Sequence, residues 1–249
     1  MPKFSIITPV YNPPIEALNA CIASMKSQLF GDWEWCLVDD NSTDPNVRKV
    51  LTRAAVKDRR IRVMYREHNG GIVAASQDAL DMATGEFIGL LDHDDALHLT
   101  ALEKVAARLA IDPTIDYLYT DEDKIDENGL HYDFFRKPGW DKERLRGQNY
   151  CCHFSVFRST LLDNVGGFRS GFDGSQDYDL ILRATEQARN ISHIPEVLYH
   201  WRCVPGSAAA AVDAKPYAYE SGRRALEEHF QRCGIDATVE MKLPGHYQY

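Results

Sequence analysis

The apolar run Phe87-Ile88-Gly89-Leu90-Leu91 ends on Asp92-His93-Asp94-Asp95, and no other stretch limits the fold of this chain so tightly. A run with almost no polar interruption reads as a strand buried on both faces, and such strands belong to parallel or mixed sheets covered by helices. In open sheets of that kind, ligands sit beyond the carboxyl ends of the strands. Three carboxylates packed there repel one another and raise each other's pKa unless a cation neutralises them. Hard oxygen ligands suit Mg²⁺ or Mn²⁺, and a diphosphate is the ligand such a cation would bridge. Taken alone, the cluster also reads as a solvated acidic turn capping the next helix.

The residues before it repeat one unit. Phe4 to Val10 is strongly β-forming and is stopped by Asn12, Pro13 and Pro14, with a helix starting near Ile15 whose apolar positions Leu18, Ile22, Met25 and Leu29 recur at helical spacing. Trp33 to Val38 is a second apolar strand and ends in Asp39-Asp40-Asn41-Ser42-Thr43-Asp44, where Asn41, Ser42 or Asp44 could cap the following helix. Ile61 to Tyr65 is a third strand. His68-Asn69-Gly70-Gly71 then turns into a helix over Ile72 to Met82, and its glycines serve either the turn alone or the approach of backbone N–H groups to a phosphate. After the acidic strand end, a helix covers Ala101 to Leu109. Strand-helix alternation through residue 110 predicts a parallel, Rossmann-like half with right-handed crossovers.

The rhythm changes after residue 110. Asp116 to Thr120 reads as a strand, Asp121-Glu122-Asp123-Lys124 as an acidic turn, Leu130 to Arg136 as an exposed strand, Cys151 to Arg158 as another, and Leu161 to Val165 as a short helix. The loop Gly171 to Gln176 enters a helix over Tyr178 to Ala188. Asp177 falls in its first turn, where an acid is favoured by about 0.3–1 kcal/mol with no chemistry required. Ile191 to Tyr199 is a strand with His200-Trp201-Arg202 at its end, and a histidine there is ordinarily packed or exposed rather than a ligand. Pro216 to Cys233 forms the last helix. No linker, repeat or low-complexity tract divides the chain, so residues 1–249 read as one domain, with a nucleotide-binding half at 1–110 and a less regular half at 111–249.

The 249 residues, 44% of them apolar, suffice for a sizeable core, and the net charge of −9 with no basic run argues against a nucleic-acid partner. No stretch reads as a transmembrane segment. The six cysteines form no C-x-x-C pair, and several lie in apolar segments, which points to a reduced, cytoplasmic protein.

Ser5-Ile6-Ile7-Thr8-Pro9-Val10-Tyr11-Asn12, Val38 to Asp44 and Leu91 to Asp95 arrive in an order and spacing that closely resembles the family 2 glycosyltransferases. Ser175-Gln176-Asp177-Tyr178-Asp179-Leu180 and Tyr199-His200-Trp201-Arg202 with Gly206-Ser207 resemble that family's acceptor-side motifs. The resemblance covers residues 3 to about 233. It implies an α/β chain of GT-A fold, a mixed, mostly parallel central sheet flanked by helices, and inverting transfer of a sugar from a nucleotide diphosphate with Mn²⁺ or Mg²⁺.

Carried over residue by residue, the resemblance puts Thr8, Pro9, Tyr11, Asn12, Asp40, Gly71, Ser76, Asp92 and His93 at the nucleotide sugar. Asp40 would accept from the N–H of uracil or thymine. Asp94 would bind the metal directly, with His200 completing its shell. Gln176 and Trp201 would meet the acceptor, which makes 111–249 the acceptor-binding half, and Asp177 would be the base. One departure is Ala75-Ser76-Gln77, where many relatives carry Ala-Arg-Asn, so a charge near the donor diphosphate is missing. Thr120 to Lys124 and the Ser-Gln-Asp triplet resemble a branch that builds bacterial surface polysaccharides, some containing rhamnose. That branch implies a UDP-sugar or dTDP-sugar donor, a glycan or lipid-linked glycan acceptor, work at the inner face of the membrane, and often a fused second transferase.

Two other readings stay open. A nucleotidyltransferase should carry a glycine-rich basic loop after its first strand, and Pro9 to Pro14 is not one. A catalytically silent nucleotide-sugar-binding or scaffold module would share every binding residue and differ only in turnover.

Overall fold

The computed structural model describes residues 1–203 and 216–249; Gly206-Ser207 lie outside them. The first half builds β1 (Phe4–Val10), α1 (Ile15–Lys26), β2 (Trp33–Asp39), α2 (Pro45–Lys57), β3 (Ile61–Tyr65), α3 (Gly71–Met82), β4 (Phe87–Leu90), β5 (Ala96–Leu97) and α4 (Ala101–Ile111). Asp44 is the residue that caps α2: its carboxylate accepts from the Asn46 N–H at 2.9 Å, and Pro45 occupies the first helical turn, where its missing N–H costs nothing.

The second half adds β6 (Tyr117–Ile125), β7 (His131–Phe135), α5 (Lys142–Gly147), β8 (Ser155–Arg158), α6 (Ser159–Val165), α7 (Gln176–Gln187), β9 (Ile191–Arg202), α8 (Pro216–Cys233) and the hairpin β10 (Glu240–Leu243) and β11 (His246–Gln248). The hairpin closes the described chain against the fold: Tyr247 stacks on Tyr178 with ring centroids 6.0 Å apart.

The strands form a mixed sheet in the order β3-β2-β1-β4-β8-β6-β9-β5, with β7 paired to β6. β1, β2, β3 and β4 run parallel, as the alternation predicts, and β8 enters antiparallel between β4 and β6. The sheet is the α/β, GT-A-type architecture expected. Phe87 and Ile88 of β4 are at most 2% exposed, a burial worth about 1.5–3 kcal/mol for each side chain. Strand order reverses at β1, which has β2 on one side and β4 on the other, so the ends of β1 and β4 open the crevice where ligands collect.

Three local expectations fail. Asp121 to Lys124 is no turn; it is the second half of β6, with Asp121, Glu122 and Asp123 all buried. Each carboxylate has a partner that spacing cannot show: His193 Nε2 lies 2.7 Å from Asp121, Lys137 Nζ 2.8 Å from Glu122, and His131 and His200 flank Asp123. The strand expected from Cys151 starts only at Ser155. β9 does not stop at Tyr199 but runs through Arg202, which decides where His200 points.

Candidate active site

A cleft of about 530 Å³ lies over the ends of β1 and β4, within the range of small-molecule sites. Pro9, Tyr11, Asn12, Asp40, Gly71, Ser76, Asp92, His93, Asp94, Gln176, Asp177 and Trp201 all line it. Sequence positions up to 190 apart thus meet in one place. Two expected members do not.

Thr8 is fully buried, and its hydroxyl accepts the Trp35 indole N–H at 2.8 Å, so it holds β1 to β2 and does not face a nucleotide. His200 is on the opposite face of β9 from Tyr199 and Trp201, because successive strand residues alternate. Its Nδ1 lies 2.6 Å from Asp123 Oδ1, and it does not line the cleft. The pairing of His200 with Asp94 is therefore corrected.

Asp40 is busier than a surface acceptor. Its Oδ1 accepts from Arg66 Nη1 and the Gly70 N–H at 2.9 Å each, and its Oδ2 from the Gly71 N–H at 2.8 Å. The glycine N–H groups expected to reach a phosphate are spent on this carboxylate. Gly71 has φ of 84°, the left-handed region that glycine enters without a Cβ clash. With two lone pairs per oxygen, three of the four acceptor positions of Asp40 are taken. Asn12 ties the neighbouring loops together, its Oδ1 accepting from the Thr43 and Asp44 N–H groups at 2.9 and 3.2 Å.

The acidic strand end divides its labour. Asp95 is buried; it accepts from the Tyr199 hydroxyl at 2.5 Å and the Arg202 N–H at 2.7 Å, clamping β9 onto the loop after β4. Burial, with repulsion from Asp94 and Asp92, pushes its pKa well above the usual carboxylate range. Asp92 and Asp94 line the cleft. His93 between them bonds the Pro9 carbonyl through Nδ1 at 3.0 Å. No lysine or arginine lines the cleft among the described residues. Two hard carboxylates at a strand end, in a cleft without fixed side-chain cations of that kind, are a donor set that fits Mg²⁺ or Mn²⁺.

Asp177 starts α7 on the far wall. Asn149 Nδ2 donates to its Oδ2 at 2.8 Å. Burial raises its pKa, and this outweighs the lowering by His153, the Tyr178 N–H and Asn149. Trp201 and Phe168 share the cleft wall with it.

The family model of Glycosyl transferase family 2 matches residues 5–166. This chain belongs to that family. Among curated relatives, this glycosyltransferase chain is 50% identical over 233 residues to protein y4gI of Sinorhizobium fredii, covering 93% of the chain and 26% of the relative. It is 41% identical over 249 residues to the O-antigen biosynthesis protein RfbC of Myxococcus xanthus, covering 99% of the chain and 19% of the relative. The chain thus spans about a quarter or less of these relatives' length. S. aureus TarS in complex with UDP-GlcNAc superposes with a TM-score of 0.74 at 23% identity over 94% of this chain and 68% of that one. The mannosyltransferase PcManGT from Pyrobaculum calidifontis, in complex with GDP-Man and Mn²⁺, gives 0.65 at 19% identity over 95% and 65%. At these identities the likeness is one of GT-A fold.

The glycosyltransferase cleft also contains a residue that sequence reasoning missed. His153 stacks on Tyr199 with centroids 4.8 Å apart, and its Nε2 is 3.9 Å from Asp92 Oδ2. Burial opposes its charging, yet Glu122, with Asp92 and Asp95, pushes its pKa up to about 9. Lys137 positions it: the fully buried amine pairs with Glu122 and bonds the Cys152 and His153 carbonyls. Cys152-His153 sits in a non-periodic loop, so no spacing rule singles it out; the buried acid run of β6 that charges it was the only available signal.

Proposed function

We propose that this family 2 glycosyltransferase moves a sugar, with inversion, from a UDP-sugar or dTDP-sugar to a hydroxyl of a growing bacterial surface glycan. The observation that carries the proposal is a pair of buried polar atoms without hydrogen-bond partners, Asn149 Oδ1 and Gln176 Oε1, while His153 Nδ1 is turned to Glu122. Buried polar atoms are rarely left unpaired, and here they stand around Asp177 where a polyhydroxylated ligand would satisfy them. His153 Nδ1 is 3.4 Å from Glu122 Oε2 but lacks the alignment of a hydrogen bond.

Asp94, with Asp92 beside it, would hold a divalent cation, which when bound neutralises the leaving diphosphate as a Lewis acid. An acceptor position remaining on Asp40 suits a base N–H such as the imide of uracil or thymine; guanine carries an N1–H as well, so the preference for a uridine or thymidine donor rests on the resemblance. Asp177 takes the acceptor hydroxyl's proton as that oxygen bonds the anomeric carbon and the bond from this carbon to the phosphate oxygen breaks. Its raised pKa suits a base working near neutral pH.

A second groove continues from the cleft through Cys152, His153, Gly174, Asp177 and Trp201, and is lined further on by Phe134, Phe135, Tyr219 and Tyr247. Aromatic faces interspersed with polar groups suit sugar rings, so the acceptor would lie here. The O-antigen role of RfbC supports a surface glycan, lipid-linked or free, as that acceptor. The family's branch supports action at the inner face of a membrane; no helix among the described residues is long and apolar enough to cross one.

The test is release of sugar from a panel of nucleotide sugars by the purified protein with Mn²⁺, in water or with an oligosaccharide acceptor. Turnover of uridine or thymidine donors is expected. Binding without any turnover across the panel would instead mark a silent nucleotide-sugar module.

A further inference from the structure

Asp123, His131 and His200 come from three neighbouring strands. β6 lies between β7 and β9: Ile125 is opposite His131, and Asp123 is in register with His200. Alternation along each strand brings Asp123 and His200 out on one face, while Glu122, Lys124, Tyr199 and Trp201 occupy the other. His131 joins the first group, its Nδ1 at 2.8 Å from Asp123 Oδ2, as His200 Nδ1 is at 2.6 Å from Oδ1. The two imidazoles meet edge to face with centroids 4.6 Å apart. All three ligand atoms lie within 4.8 Å of one another.

We infer that Asp123, His131 and His200 form a second metal site, separate from the carboxylates of the cleft, that takes a zinc ion. Two imidazoles and one carboxylate are a borderline donor set that suits Zn²⁺ and matches Mg²⁺ or Mn²⁺ poorly. Ligand atoms around tetrahedral zinc stand about 3.3 Å apart, as follows from Zn–N and Zn–O bonds of roughly 2.0–2.1 Å. The present separations of 2.6 and 2.8 Å would have to open by about 0.5–0.7 Å, within the reach of side-chain rotation. Asp123 is 2% exposed and fixed by its strand, so the carboxylate is pre-positioned. Water would complete four-coordination from the side of His131, the exposed member.

The site staples β7 to β9. β7 carries Phe134 and Phe135 into the acceptor groove and β9 carries Trp201 into the cleft, so the zinc sets the spacing of the groove's two walls.

The experiment is zinc titration of the chelator-stripped protein against a chromophoric competitor, with excess Mg²⁺ occupying the hard carboxylates, alongside thermal unfolding. The parent is expected to bind zinc at submicromolar concentration and to unfold at a higher temperature with it. His131→Ala, at an exposed ring outside the cleft, should weaken zinc binding by at least about tenfold and should shrink the rise in unfolding temperature that zinc produces, each protein being compared with its own zinc-free form. Cobalt should give a four-coordinate visible spectrum in the parent that His131→Ala loses. Zinc held equally well by His131→Ala, or no zinc retained by the parent against the competitor, would overturn the site and leave Asp123 as a hydrogen-bonded acceptor for two histidines.

Discussion

At neutral pH the Asp177 carboxylate is under opposing influences: burial raises its pKa, while the His153 cation, the Tyr178 N–H and the Asn149 amide pull it down. The balance leaves a base that is more basic than a surface aspartate. Asp177→Asn keeps the shape and deletes the proton acceptor, so single-turnover transfer should fall by roughly 10²–10⁴-fold with donor affinity retained. Transfer within a few-fold of the parent would remove Asp177 from the chemistry.

His153 makes a second prediction at this scale. A histidine whose folded pKa is raised to about 9 contributes stability that is complete below its unfolded pKa of about 6.5 and is lost as pH climbs through about 9. The urea midpoint of the parent should therefore drop between about pH 6 and about pH 10 by more than that of His153→Gln. Parallel profiles would show that His153 does not carry this charge.

Strand β6 shows why some elements escape a reading of spacing alone. An Asp-Glu-Asp-Lys run is an unfavourable strand by propensity, and only cross-strand partners from β7, β9 and the loop before β8 make it one. The same holds in α7. Asp179 projects to a different face from Asp177, as helical geometry requires, but that face is no solvated one: Asp179 is fully buried, paired with Arg183 at 2.7 Å and with Arg169. Removing one partner of a buried pair strands the other charges, so Asp179→Asn should cost about 3–5 kcal/mol in urea unfolding. Asp177→Asn should cost far less. Equal stability of Asp179→Asn and parent would mean the ion pair is not formed in solution.

His200 is the clearest lesson at the level of elements. Ending β9 at Tyr199 freed His200 to meet the metal and Trp201 the acceptor in one cleft. A strand continued through Arg202 forbids it, because neighbours on a strand point opposite ways. The acidic ends of β2 and β4, by contrast, were legible at once. Each closes an apolar run, interrupted in β2 only by Glu34, and in a parallel sheet those ends converge on one edge.

Across the whole molecule, the alternating first half fixes where the cleft must be, and the resemblance supplies roles for its walls. What stayed hidden depends on distance in space. Asp40 spends most of its acceptor capacity on the turn at Gly70 and Gly71, so Asp40→Asn should loosen α3 as well as weaken nucleotide binding. Asp40→Asn should then lower the urea midpoint, a loss that a purely ligand-facing residue would not produce.

The central claim is that the cleft holds a nucleoside diphosphate through a divalent cation on the carboxylates after β4. Calorimetric titration of UDP, with dTDP and GDP beside it, measures this in Mn²⁺ and again in excess chelator. UDP or dTDP should bind in Mn²⁺ more tightly than GDP, and the binding should be lost both in chelator and in Asp94→Ala. Affinity that is unchanged by chelator and by Asp94→Ala, or a preference for GDP, would contradict it.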